Sequence, residues 1–221
     1  MNILAIDTCT ETTSVTLCVN GDKSTRLLRD VAKSSGRILK LCDEVFFEAN
    51  IKLDDVDVIA YTKGPGAFTG VRMCVGVVQG LAFSFNIPTI GFSTLELLGY
   101  RAAKHLSCQA IAVAFDARMG EVYWGIYQNG KISDEKICEP TGVGRLNGEF
   151  VGVGSGWSVY PDELIAASGV GHIDSELFPK SSSLIDLAYE ALKNGSEASL
   201  ELAQPTYLRN NVAQKPKKVA I

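Results

Sequence analysis

The chain is 221 residues long, 46% apolar and 21% charged, proportions that exclude a disordered or collagen-like protein. Its length matches about one and a half typical domains, enough to bury a core without metal or disulfide staples. The 21 basic and 25 acidic residues leave a net charge of −4, split 11 to 11 up to residue 104 and 10 to 14 beyond it. No broad basic surface therefore points to nucleic-acid binding by this chain alone.

The opening Met1-Asn2-Ile3-Leu4-Ala5-Ile6-Asp7 lacks a basic region and meets an acid at once, unlike a secretory signal. No apolar stretch approaches the ~20 residues of a membrane span. A cytoplasmic protein without membrane contact is expected. Cys9, Cys18, Cys42, Cys74, Cys108 and Cys138 lie 9 to 34 positions apart, too far for CxxC redox chemistry or a zinc knuckle, so free thiols are expected. Arg209, Lys215, Lys217 and Lys218 fall in the last 13 residues and read as a solvated basic tail.

Residues 2–7 read as an apolar strand ending in Asp7. After the polar turn 8–13, residues 14–19 alternate and are rich in β-branched side chains. Asn20-Gly21 marks a hairpin, and 24–29 return as a third antiparallel strand. Residues 37–49 read as a helix with Leu41, Val45, Ile38, Ala49, Cys42, Phe46 and Leu39 on one arc of about 160°; Phe47 falls outside it. Residues 56–62 read as a buried strand running into Lys63-Gly64-Pro65-Gly66-Ala67-Phe68-Thr69-Gly70. A second helix over 70–85 follows, with Thr69 as its cap. It is apolar nearly all round, as in a helix packed on several sides. Gly76, Gly80 and Ser84 recur along one face, each glycine costing ~1 kcal/mol against alanine, which suggests close approach by a helix of this chain or another. A strand at 88–92 and a helix from Ser93 to about Lys104, with capping-box spacing to Glu96, complete the first half.

The second half repeats the order. An apolar strand over 110–115 ends in Asp116, a turn leads to the strand 121–127, Asn129-Gly130 is a second hairpin signal, and 131–138 return. Strand 149–153 and helix 183–193 follow. Two related α/β lobes, over residues 1–105 and 106–221, with a cleft between them are expected, the tail returning to the first lobe.

The Gly64–Gly70 loop joins a strand to a helix, where free N–H groups favour an anion. It lacks the Lys-Ser/Thr of a Walker loop, and its glycines miss the dinucleotide spacing by one residue. A tight strand-to-helix turn is the preferred reading, with anion binding as the alternative. Asp7 with Thr8 and Thr10 could hold a magnesium-nucleotide, although Thr8 and Cys9 stand where such hairpins prefer glycine. Asp7, Thr8, Thr10, Gly64, Gly66 and Thr69 are thus the candidate nucleotide cleft, with no resident cofactor expected and weak ATP or ADP binding as the alternative. Gly152–Gly156 does not match a nucleophile elbow. No His spacing offers a metal site. His105 reads as a partner of a helix C-terminus and His172 as an exposed loop residue.

Four segments, Ile6–Thr10, Lys63–Arg72, Asp116–Tyr123 and Pro205–Arg209, resemble the bacterial family of tRNA threonylcarbamoyladenosine biosynthesis proteins called TsaB or YeaZ, across nearly the whole chain. The resemblance implies an actin-like ATPase fold of the sugar kinase and Hsp70 group. It implies a scaffold that is not an enzyme. Its partner would be the related TsaD, which transfers a threonylcarbamoyl group to an adenosine of tRNA, and the ATPase TsaE would join them. Contact with tRNA would be indirect, through the complex. It further implies that the helices 37–49 and 70–85 meet TsaD or, in isolation, a second copy of the chain. The interface residues would be Leu39, Asp43 and Phe47 on the first helix, and Gly70, Arg72, Met73, Gly76, Gly80 and Ser84 on the second. The catalytic relative holds a metal with two histidines in the segment that reads here Lys33-Ser34-Ser35-Gly36-Arg37-Ile38-Leu39. Many TsaB relatives keep a histidine at the position of Ser34; its absence argues further against a metal.

Overall fold

A computed structural model describes residues 1–29, 36–201 and 203–209. Ser34 and the tail lysines Lys215, Lys217 and Lys218 lie outside the described residues. Strands β1 (Ile3–Asp7), β2 (Thr13–Val19) and β3 (Asp22–Leu28) form an antiparallel meander. Its hairpin turns on Asn20 (φ 52°) and Gly21 (φ 98°), the left-handed pair that matches strand twist. Helix α1 (Ile38–Ala49) leads to β4 (Val58–Thr62), which runs parallel to β1. Helix α2 (Phe68–Phe85) leads to β5 (Thr89–Phe92), parallel to β4, and the sheet order is β3-β2-β1-β4-β5. After α3 (Thr94–Leu106) the pattern recurs in β6 (Ala110–Asp116), β7 (Val122–Gln128), β8 (Lys131–Cys138), β9 (Val151–Val153) and β10 (His172–Asp174). Their order, β8-β7-β6-β9-β10, repeats the first sheet strand for strand. This doubled connectivity is the actin-like ATPase fold.

Short elements escaped the pattern reading. Helices α4 (Gly156–Val159) and α5 (Pro161–Ser168) span two turns or fewer, too short to show a helical period. His172 begins edge strand β10 rather than a loop, and is exposed there. Helix α2 starts at Phe68, and the residue before it, Ala67, makes no side-chain cap. Thr69 is therefore an exposed residue of the first turn and not the cap.

Side-chain alternation sorts each sheet into two cores. Leu4, Ile6, Val15, Leu17 and Ile59 pack under α1 and α2. On the opposite face Ile3, Ala5, Val58 and Ala60 join Leu95, Leu98, Leu184 and Ala188 and then Ile111, Val113 and Phe115 of the second sheet. Helices α3 and α6 (Ser181–Lys193) thus lie between the sheets. The outer face of the second sheet packs Trp124 on Trp157 under α4 and α5. Because both faces of β1 are covered, all five of its residues are buried, which explains its uninterrupted apolar run.

Helix α2 departs from expectation in its packing. At 18 residues, with Arg72 its one charge, it is long and apolar enough to cross a membrane by length and composition, a length the sequence reading placed out of reach. Yet it lies along the sheet on a single side. Only Gly70, Val71, Cys74, Val75 and Val78 are buried.

Candidate functional site

The loop after β1 and the loop after β4 meet at the head of the first sheet. They meet as backbone on backbone. The Ala67 amide donates to the Cys9 carbonyl at 2.8 Å, and the Thr8 hydroxyl donates to the Gly70 carbonyl at 2.6 Å. A Cβ at Gly66 would stand 2.0 Å from the Cys9 oxygen, and one at Gly70 would stand 2.1 Å from the Thr8 oxygen. These glycines admit the neighbouring loop, the tight-turn reading of the motif. Gly70 is accordingly buried and does not belong to an exposed helix face. Gly66→Ala is expected to destabilise the fold by about 3 kcal/mol through this overpacking, measured by urea denaturation. A loss under about 1 kcal/mol would show that the loops yield.

Asp7 sits beneath this junction with no exposure. Its Oδ1 accepts from the Thr62 hydroxyl at 2.7 Å and from the Cys9 amide at 3.3 Å, while its Oδ2 has no partner. Burial pushes its carboxyl up from 3.8 to about 6, against the pull of those two hydrogen bonds. Neighbouring thiols are turned inward: Cys9 donates to the Thr62 carbonyl and Cys74 to the Ile6 carbonyl, each at 3.4 Å. Burial also raises the Cys74 thiol. A thiol so raised is unreactive.

Beyond the junction a cleft of about 490 Å³ opens between the sheets. Of the sequence-derived cleft residues, Thr10 and Gly66 line it. Asp7, Thr8, Gly64 and Thr69 do not. Asp7 and Thr8 are sealed by the loop contact, and Thr69 points to solvent. Neighbours of Thr10 and Gly66, among them Phe68 and Val71, complete that side, and the facing wall comes from Phe115–Met119 and Tyr123 of the second sheet and from Thr206–Arg209. Both segments carry the family resemblance, yet nothing in their residue types marks them as part of a site. Neither histidine lines the cleft. Among the described residues no cluster of three or more His, Cys, Asp or Glu is arranged for a metal ion.

The candidate interface residues fall on the outer side of α1 and α2. Phe47 is 90% exposed, and Leu39 and Asp43 are exposed beside it on α1. On α2, Arg72, Gly76, Gly80 and Ser84 are exposed and Met73 is half-buried. A Cβ at Gly76 or Gly80 would meet nothing within 4 Å, so no helix of the described chain crosses this stripe. Phe83, 79% exposed, extends the apolar face. It went unremarked in the sequence because an apolar helix was read as buried all round.

The family model for TsaD, tRNA N6-adenosine threonylcarbamoyltransferase, matches residues 31–217. The tRNA threonylcarbamoyladenosine biosynthesis protein TsaB of Escherichia coli K12 is 38% identical, over 97% of both chains. The protein of the same name from Haemophilus influenzae is 32% identical, over 97% of this chain and 96% of its own. Among solved structures, YeaZ from Pseudomonas aeruginosa superposes with a TM-score of 0.86 at 36% identity, covering 94% of this chain and 99% of that one.

Proposed function

The chain belongs to the TsaB family of tRNA threonylcarbamoyladenosine biosynthesis proteins, and from that premise we propose that it serves this biosynthesis as a scaffold and not as an enzyme. In this reading it organises the catalytic TsaD-type relative, together with a TsaE-type ATPase, in the cytoplasm. It pairs with a second copy when alone, and tRNA is met only through the complex.

The observation that supports this most is α2. An 18-residue apolar helix with five buried residues leaves a large apolar face in water, and such faces mark protein interfaces. Glycines at positions 76 and 80 lower that surface so that a partner's backbone can come close. The two loops at the head of the first sheet support the non-catalytic half of the reading. The Ala67 amide and Thr8 hydroxyl, donors suited to a phosphate, are already bonded within the chain.

Light scattering on the purified chain, with and without the TsaD-type protein, tests the proposal. The expected result is a homodimer alone and a stoichiometric heterocomplex after mixing, with threonylcarbamoyl transfer to tRNA only in the mixture. Transfer by the chain alone, or no complex at micromolar concentrations, would overturn it. The competing reading, a weak magnesium-nucleotide enzyme, requires calorimetric heat with magnesium-ATP at millimolar concentration.

A further inference from the structure

Two of the four family-like segments remain without a task in the scaffold reading: Asp116–Tyr123 and Pro205–Arg209. They meet each other across the cleft. Residues 203–209 run from the α2 side of the first sheet to the β6–β7 turn of the second, fastened at both ends. At the first end, Gln79 donates to the Ala203 carbonyl at 2.7 Å. The Tyr61 hydroxyl accepts from the Gln204 amide at 3.1 Å. The Thr206 amide donates to the Lys63 carbonyl at 2.7 Å. Gly64 allows this last approach, since a Cβ there would stand 2.8 Å from the Thr206 oxygen. Tyr207 then lies against Phe68, and the Arg72 Nε donates to its hydroxyl at 3.1 Å while the guanidinium covers the Phe68 ring at 3.3 Å.

At the second end Arg209 closes the span. Its Nη2 lies 2.7 Å from the Glu121 carboxylate and 2.9 Å from the Ala117 carbonyl. The Arg209 side chain is only 14% exposed, so the pair is poorly screened, and charge-assisted bonds of this kind are the stronger class. Under the strap, Val71 and Phe115 are 2% and 4% exposed although both line the cleft.

We propose that residues 203–209 are a latch, which walls one side of the interlobe cleft and ties the β4–α2 loop to the β6–β7 turn, so that the cleft widens only when Arg209 lets go. The proposal is independent of the scaffold reading, since it concerns contacts within one chain.

The contacts described for Arg209 are polar ones to the β6–β7 turn, so Arg209→Ala is expected to fold. The experiment compares the full-length parent, Arg209→Ala, Glu121→Gln and the double variant by amide hydrogen exchange. Either single change should speed exchange at the Thr206 amide at least tenfold, although that amide bonds to Lys63 and not to the altered residues. The double variant should add little to either. Ile59 in β4 should stay at the parental rate in all four. In Arg209→Ala the fluorescence of anilinonaphthalene sulfonate should rise several-fold as Val71 and Phe115 become reachable, with no change in melting cooperativity. Parental exchange at Thr206 in both single variants, or parental dye fluorescence in Arg209→Ala, would overturn the latch. Glu121→Gln serves as the check should Arg209→Ala misfold.

Discussion

Gly80→Leu is expected to stabilise the monomer and weaken its pairing with either partner. Gly80 lies within α2, and a Cβ there meets nothing within 4 Å. Replacing a helical glycine with a good helix former should therefore raise monomer stability by about 1 kcal/mol. At a helix–helix contact the same side chain would hold the partner's backbone away. Phe47→Asp acts differently on the same surface. The ring is 90% exposed, so its loss costs the monomer little, while an interface would lose a buried aromatic and gain an unpaired charge. Truncation of such an anchor typically costs 2 kcal/mol or more, about 30-fold in affinity or beyond. Thermal melting read beside titration with the TsaD-type protein separates the two effects. Parental affinity in both variants would move the interface off this face, whatever the melting temperatures do.

Asp7→Asn is expected to alter how stability depends on pH. The Asp7 carboxyl titrates near 6 in the folded chain because burial disfavours its charge, against 3.8 ordinarily. Below the lower value the group is protonated in both states and exerts no penalty. As pH rises from there to about 6, the unfolded chain ionises first and stability falls. Above about 6 the loss is complete and constant. At about 1.4 kcal/mol per pH unit it amounts to about 3 kcal/mol. Asparagine carries no charge at any of these pH values and keeps an acceptor for Thr62 and Cys9. Its extra N–H₂ inherits the unpartnered place of Oδ2, a cost that does not vary with pH and drops out of the comparison. Urea denaturation at pH 4, 5, 6 and 7 should therefore show the variant gaining on the parent by about 2 kcal/mol across the series, the rest of the penalty being already present at pH 4. Parallel curves would mean that Asp7 finds a compensating partner. An aspartate held at such a cost on structural grounds alone would be unusual, which makes the curvature of the parent's profile informative in its own right.

Much of the architecture was readable because it rests on short-range chemistry. The Asn20-Gly21 and Asn129-Gly130 turns require two consecutive left-handed residues, and both pairs adopt them. The doubled order of strands and turns followed from alternation and turn residues alone. So did the exposure of Phe47, which lay off the helical arc. The errors were of another kind. Gly70 was placed on the partner-facing side of the second helix by the family resemblance, and nothing local to a glycine tells which neighbour it admits; the structure puts the Thr8 backbone there. Asp7 and Thr8 were assigned to a ligand cleft because their residue types suit one, yet the adjoining loop covers both.

The sequence by itself determined two matched α/β halves, their hairpins, an unusually apolar second helix and a scarcity of histidine. These depend on periodicity, on backbone dihedral preference and on counting, all of which are local. Only the tertiary structure decided what each motif touches. Ala67 reaches Cys9 across 58 positions, and Arg209 reaches Ala117 across 92. Contacts at that range are chosen by how sheets stack and loops collide, so the same glycine-rich loop that could have cradled a phosphate instead closes on its neighbour, while α2 is left with its apolar face in water.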